Sequence, residues 1–187
     1  MASLKNIHFS KICRMIFCAG VIFLASCTET STNTSQDTSL KSMEDSAVSF
    51  NHEIVQSEIQ EIDDFILRYH WEMTKTQTGL RYMIYKKGDG TGAKPGDIVA
   101  IKYKVTLLTG DLVYQTDSVK LLNFEVGKRN VVSGLEEGIM LMQRGSRAKL
   151  IVPSHLAFGL LGDMSKIPAR AALVCDVELC AINPLKK

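Results

Sequence analysis

Apolar positions follow two periods along this chain, and the change from one to the other divides it. Residues 51–75 place Val55, Ile59, Ile62, Ile66, Tyr69 and Met73 at steps of four and three, the spacing of one face of an α-helix. Glu53, Glu58, Glu61, Asp63 and Asp64 take other faces, mostly toward the amino-terminal half, where the helix dipole favours negative charge. From residue 78 onward the period becomes two. Leu80, Tyr82 and Ile84 alternate with Arg81, Met83 and Tyr85, which predicts a half-buried strand. Residues 97–108 predict a long second strand, Thr109, Gly110 and Asp111 a hairpin turn, residues 112–116 the returning strand, and residues 121–126 a further one.

Helical spacing interrupts the strands once. Leu135, Ile139 and Met142 recur at four and three, and Ser133 followed by Glu136 has the form of a capping box. About three turns of helix are expected there, stopped by Gly145 in a left-handed conformation. Residues 148–152 predict a short buried strand closed by Pro153, residues 155–168 an irregular loop, and residues 172–182 a last strand with Leu173, Cys175, Val177 and Leu179 on one face. A helix this short is marginal in water, so it has to lay its apolar side on the flanking sheet. Five or six strands with one short internal helix predict an α+β fold, an antiparallel sheet with the helix packed on one face.

The motifs of this region fall in the order of a known family. Residues 131–150 read V-x-x-G-x-E-E-G-x-x-x-M-x-x-G-x-R-A-K-L. Around them stand G-L-x-Y at Gly79 to Tyr82, K-P-G-D at Lys94 to Asp97, Lys102 with Tyr103, F-x-V-G at Phe124 to Gly127, A-F-G at Ala157 to Gly159, Ile167 with Pro168, and L-V-C-D-V-E-L at Leu173 to Leu179. Together they resemble FKBP-type peptidyl-prolyl isomerases from Thr78 to Ile182. The resemblance implies an FKBP-like sheet wrapped on its short central helix, an apolar pocket for the proline of a polypeptide client, and no cofactor.

Carried over position by position, it implies catalytic walls at Tyr103, Val131, Val132, Phe158 and Ile167. It implies substrate-binding positions at Val113, Tyr114, Leu122, Leu135 and Cys175. Several depart from the family pattern. Val113, Leu122, Leu135 and Cys175 replace aromatic residues, Tyr114 replaces an aspartate, and Phe158 replaces the loop tyrosine whose hydroxyl binds a substrate carbonyl. The implied cleft is apolar, with less aromatic area and one donor fewer.

The beginning of the chain changes the picture of charge and location. A basic stretch ending at Arg14, an apolar run from Met15 to Leu24, and Ala25-Ser26-Cys27 have the form of a signal sequence; the apolar run falls well short of the ~20 residues a membrane-spanning helix needs. Leu24-Ala25-Ser26-Cys27 resembles the lipobox of bacterial lipoproteins, which implies lipidation of Cys27 and attachment to a membrane of the bacterial cell envelope, facing the periplasm or the cell surface. The alternative is an ordinary secretory signal with an incidental cysteine. Signal, cysteine, tether and helix together resemble the lipoprotein members associated with gliding motility.

The expected division is residues 1–26 leader, 27–49 a flexible Ser/Thr-rich tether, 50–77 the amphipathic helix, and 78–187 the isomerase-like domain. Without Lys5, Lys11 and Arg14 the formal charge of +2 becomes −1, which removes any electrostatic case for nucleic acid as partner. The helix is expected to pack on its own domain or to pair two copies of the chain. Cys175 and Cys180, five apart on one strand, point opposite ways and are expected to be free buried thiols. Cysteine and histidine spacing offers no metal site, and Ser154 beside His155 lacks the turn of a hydrolase nucleophile. Two functions follow: a prolyl isomerase assisting the folding of envelope proteins, or a non-catalytic binding or chaperone module for extended or proline-containing segments. A structural lipoprotein with a vestigial cleft is the third.

Overall fold

The computed structural model describes residues 34–117 and 120–183, with side chains from residue 48 onward. The leader, Cys27 and the first residues of the expected tether lie outside the described residues. The described residues from Phe50 onward form one compact unit.

The amphipathic stretch is helical, but its ends differ from the expectation. Helix α1 spans Thr34–Arg68, so residues 34–49, expected as part of a flexible tether, are helical. Ser and Thr cost a helix only about half a kcal/mol each, and Leu40, Lys41, Met43, Glu44 and Ala47 among them are ordinary or good helix formers. At the other end the helix stops short of Tyr69 and Met73. His70 takes a left-handed φ of 52°, and the amides of His70 and Trp71 donate to the carbonyls of Leu67 and Ile66 at 3.2 and 3.1 Å. These bonds form a Schellman closure with histidine in the place glycine usually holds.

Seven strands make one antiparallel sheet among the described residues: β1 Thr74–Lys75, β2 Arg81–Lys86, β3 Ile98–Leu107, β4 Leu112–Gln115, β5 Leu122–Glu125, β6 Arg147–Val152 and β7 Leu173–Ile182. Their order is β1-β2-β6-β7-β3-β4, with β5 also on β3. The long β3 is shared: Ile98 to Ile101 pair with β5, and Lys104 to Thr106 pair with β4. Helix α2, Ser133–Met140, lies against β6.

Period two sorts the strands between two cores. On the inner face, Val99, Ile101, Leu150, Val177 and Leu179 bury against Leu135, Ile139 and Met142. On the outer face, Ile151 and Val174 are covered by Ile62 and Phe65 of α1, with Ile66, Trp71 and Met73 around them. The lower half of the predicted helical stripe therefore packs on its own domain, and Phe65 shares that face. Val55, at the start of the stripe, is half exposed.

The helix also explains a buried charge. Arg81, on the polar side of its predicted strand, is 6% exposed because α1 covers it. Its guanidinium donates to Asp63 and to the carbonyl of Gly79, both at 2.9 Å. Removing the carboxylate leaves a desolvated cation with one partner, so Asp63→Ala is expected to lower unfolding stability by about 1–2 kcal/mol in urea titrations, discounted because Asp63 itself is half exposed.

Helix α2 forms with a different cap from the one expected. Its N-cap is Val132, with no side-chain bond. Ser133 instead donates its hydroxyl to the carbonyl of Leu156 at 3.2 Å. The carboxylate of Glu136 accepts the amide of Arg129 at 3.0 Å, satisfying the turn that leads in, where Arg129 takes a φ of 55°. The regular helix ends at Met140, five residues before Gly145, whose φ of 86° serves the turn into β6. Gly134 and Gly138 bring α2 close to that strand: a Cβ on either would collide with Val152 or Leu150.

Candidate functional site

The cleft is built where the start of α2 meets the inner face of the sheet. Strand β3 contributes Tyr103 and Val105, two residues apart and therefore on one face. Tyr114 of β4 stands opposite Val105 in register, and Leu122 opens β5. Val131 and Val132 precede α2, Leu135 lies in its first turn, and Leu173 and Cys175 come from β7. Phe158 and Ile167 close the ring from the loop between β6 and β7. The enclosed space is about 160 Å³, and no lining residue carries a formal charge at neutral pH.

Nine of the ten residues singled out from the sequence line this one cleft. Val113 does not. It is the extra residue of a β-bulge, since Val105 pairs with Tyr114 and Thr106 with Leu112, and its side chain is buried in the core. The bulge is also what turns Tyr114 onto the cleft face. Sequence reasoning missed Val105 and Leu173, although both alternate with residues it named.

It also missed Asp163, which organises the loop. One oxygen of its carboxylate accepts the amides of Ser165, Lys166 and Ile167 at 2.9, 2.9 and 2.7 Å. The other accepts the hydroxyl of Tyr114. Lys166 lies 5.3 Å from the centre of the Tyr114 ring and donates to the carbonyl of Val113 at 3.3 Å. The Tyr114 hydroxyl bond and the loop amides hold the Asp163 carboxyl down to about 2, while the same bond pushes the Tyr114 phenol up. A carboxyl depressed in the folded state stabilises above its unfolded value of about 3.9 and loses that effect as pH falls through its folded value. The amide resonances of Ser165 and Ile167 are therefore expected to stay unchanged from about pH 8 to 4 and to move only below that.

The rest of the loop is tied at its root. Ser154, in the 3₁₀ turn Ser154–Leu156, donates its amide and hydroxyl to the carboxylate of Glu58 at 2.5 and 2.7 Å. His155 Nε2 bonds the carbonyl of Thr78 at 2.9 Å, so serine and histidine are engaged in different directions. Leu160, Leu161 and Met164 stand exposed along the loop.

A larger open depression of about 410 Å³ lies on the outer face, but it is polar. Charged side chains line it, among them Lys102, Lys104, Asp117, Arg147, Asp176 and Glu178, with Arg147 paired to Glu178 at 3.0 Å and Asp176 to Lys149 at 2.8 Å. It offers no apolar receptacle, and the inner cleft is the candidate site.

A family model described as FKBP-type peptidyl-prolyl cis-trans isomerase matches residues 90–180. The FK506-binding protein 1 of Debaryomyces hansenii is 41% identical over 102 residues, covering 54% of this chain and 91% of that protein. The chain belongs to the FKBP-type peptidyl-prolyl isomerase family. A second relative, the FKBP-type peptidyl-prolyl cis-trans isomerase FkpA of Aeromonas hydrophila, is 42% identical over 109 residues, 58% of this chain and 40% of that longer protein. Among solved structures, the FKBP named AtFKBP13 aligns with a TM-score of 0.56 at 26% identity, covering 59% of this chain and 98% of its own. A peptidyl-prolyl isomerase from Pseudomonas syringae shares the fold, with a TM-score of 0.59 at 21% identity over 68% of this chain and 95% of that one.

One thiol, Cys175, lines this FKBP cleft. Burial pushes the Cys175 thiol up to about 12, and it pushes Cys180 up as well. Cys180 is only partly buried, contrary to the expectation of two buried thiols; it is the extra residue of a bulge opposite Ala100 and Ile101. Cys175 is expected to resist a charged disulfide reagent in native buffer and to react at once in denaturant, as thiolate formation and access both require unfolding. Labelling of Cys175 itself in the folded protein, located by peptide mapping, would contradict that.

Proposed function

We propose that this chain is a peptidyl-prolyl cis-trans isomerase acting on proline-containing polypeptides of a bacterial cell envelope. The observation that carries the reading is the convergence of nine family-implied positions, from six segments of chain, on one uncharged cleft. Rotation about an X-Pro bond requires no nucleophile, metal or redox group. Its barrier comes from amide resonance, about 18–20 kcal/mol for a peptide bond, and the twisted transition state has lost that conjugation and part of its polarity. A site that takes the proline ring and excludes water favours the twisted state over the planar one, and each 1.36 kcal/mol of preference gives tenfold in rate.

Tyr103, Val131, Val132 and Ile167 supply the apolar walls, and Leu135 and Cys175 the floor. The Tyr103 hydroxyl makes no hydrogen bond among the described residues, so it is open to a substrate carbonyl, which Phe158 cannot serve. The assay is protease-coupled isomerisation of short X-Pro peptides by the full chain. Rates above the uncatalysed background, first order in protein, are expected; rates equal to background remove the enzyme.

The replacement of the loop hydroxyl by Phe158 favours a second reading, a non-catalytic module that binds extended or proline-containing segments. A neutral hydrogen bond contributes about 0.5–1.5 kcal/mol, so its loss slows turnover without abolishing it. Peptide binding with background isomerisation rates would choose the module. The leader and the lipobox-like Leu24-Ala25-Ser26-Cys27 support attachment to an envelope membrane, in the manner of the gliding-motility lipoproteins they resemble. Cys27→Ser is expected to release the protein from membranes, and retention of the variant would overturn the anchor.

A further inference from the structure

We propose that Tyr114 and Asp163 form a clasp that holds residues 157–168 against β4, keeping Phe158 and Ile167 in place as walls of the cleft. The inference rests on the isomerase reading for its effect on turnover, and on the loop geometry alone for the clasp itself.

The loop is long and has few apolar anchors. Leu160, Leu161 and Met164 are 67, 78 and 90% exposed, so hydrophobic burial holds little of it beyond Ile167, which is 3% exposed. Its shape is set internally by Asp163, whose one oxygen gathers three successive amides. That turn fixes Ile167 relative to Asp163, but it does not fix either relative to the sheet. The link across is made by the second oxygen and the Tyr114 hydroxyl, with the Lys166 ammonium on the Val113 carbonyl beside it. Tyr114 can reach because the bulge at Val113 turns it inward. A hydroxyl donating to a carboxylate is a charge-assisted bond, stronger than a neutral pair. Asp163 is therefore a positioning residue that acts on a bound proline through the loop, and Tyr114, which also lines the cleft, takes the same positioning role through its hydroxyl.

Tyr114→Phe keeps the ring and its contact with Lys166 and removes only the donor. Asp163→Asn keeps an oxygen for the three amides and removes the charge. In either variant the amides of Ser165, Lys166 and Ile167 are expected to exchange with deuterium about tenfold faster, while amides of β3 and β7 keep their rates. In the isomerase assay kcat/KM is expected to fall about tenfold, mainly through KM, since the loop walls bind the substrate in both ground and transition states. The double variant is expected to be no worse than the more damaged single one, because both remove the same bond.

Loop amides that exchange at wild-type rates in both variants overturn the clasp, as do two losses that simply add. Faster exchange spread over the whole sheet also overturns it, since that is general destabilisation. Exchange is read without catalysis, so a wild-type chain that fails to isomerise peptides removes the enzyme reading alone and leaves the loop comparison to decide the clasp.

Discussion

The double variant Tyr103→Ala, Val132→Ala is expected to lose about a hundredfold in kcat/KM on an X-Pro peptide, close to the uncatalysed rate. Tyr103 presents a ring and Val132 a branched side chain to the same cleft from β3 and from the turn before α2. Each large apolar contact with a proline ring is worth about 1.5–3 kcal/mol when fully buried. Both residues are only partly buried, so the lower figure applies to each, and about 3 kcal/mol together is a little over two factors of ten. The partial exposure also protects the fold: neither substitution opens a deep cavity, and the unfolding midpoint should move little. Ile98→Ala is the matched control, because Ile98 is on β3 but 40% exposed and away from the cleft. A double variant that turns over peptide as fast as wild type would place catalysis elsewhere.

Gly138→Val is expected to cost about 3 kcal/mol in unfolding stability, read from the denaturant midpoint. A Cβ at this position collides with the Leu150 side chain, both of whose methyl groups crowd the site. Leu150 is 1% exposed and has nowhere to go. Overpacking of this kind costs about 1–3 kcal/mol for small additions, and the branched side chain sits at the upper end. Valine is a better helix former than glycine by a few tenths of a kcal/mol, which offsets only a minor part. Gly138→Ala should fall between, since the full helix propensity gain of about 1 kcal/mol opposes a smaller clash. A valine variant as stable as wild type would mean that α2 slides off β6 freely, and the close packing of helix on strand would not be what sets the cleft floor.

The two periods in the sequence were enough to locate most strands, because away from the bulges successive residues of a strand enter opposite faces of this sheet. Leu173, Cys175, Val177 and Leu179 enter one core while Val174 enters the other. What escaped was decided by partners distant in sequence. Arg81 reads as a solvated position until α1 is known to cover it. The expected capping box at Ser133 and Glu136 is the right residue pair put to other uses, one bonding Leu156 and the other Arg129. Histidine at the end of α1 carries no glycine signal, so the helix read as continuing through Met73.

The cleft was legible for a related reason. Its walls stand at fixed places in a motif order, and the motif order survives even where the aromatic residues do not. Val113 failed because a bulge adds a residue that alternation cannot count. Asp163 failed because its partner Tyr114 is 49 residues away, and nothing local distinguishes a loop aspartate that organises from one that is merely solvated.

Glu58 ties the amino-terminal helix to the root of the loop that closes the cleft, through both donors of Ser154. A truncated protein starting at the first strand motif, near residue 78, would therefore bare Ile151 and Val174 to solvent, strand the Arg81 guanidinium, and release the turn from which Phe158 is hung. In this chain the fold is therefore expected to need α1 from upstream of Glu58, and a protein begun downstream of it is expected to be weakened at the root of the loop that closes the cleft.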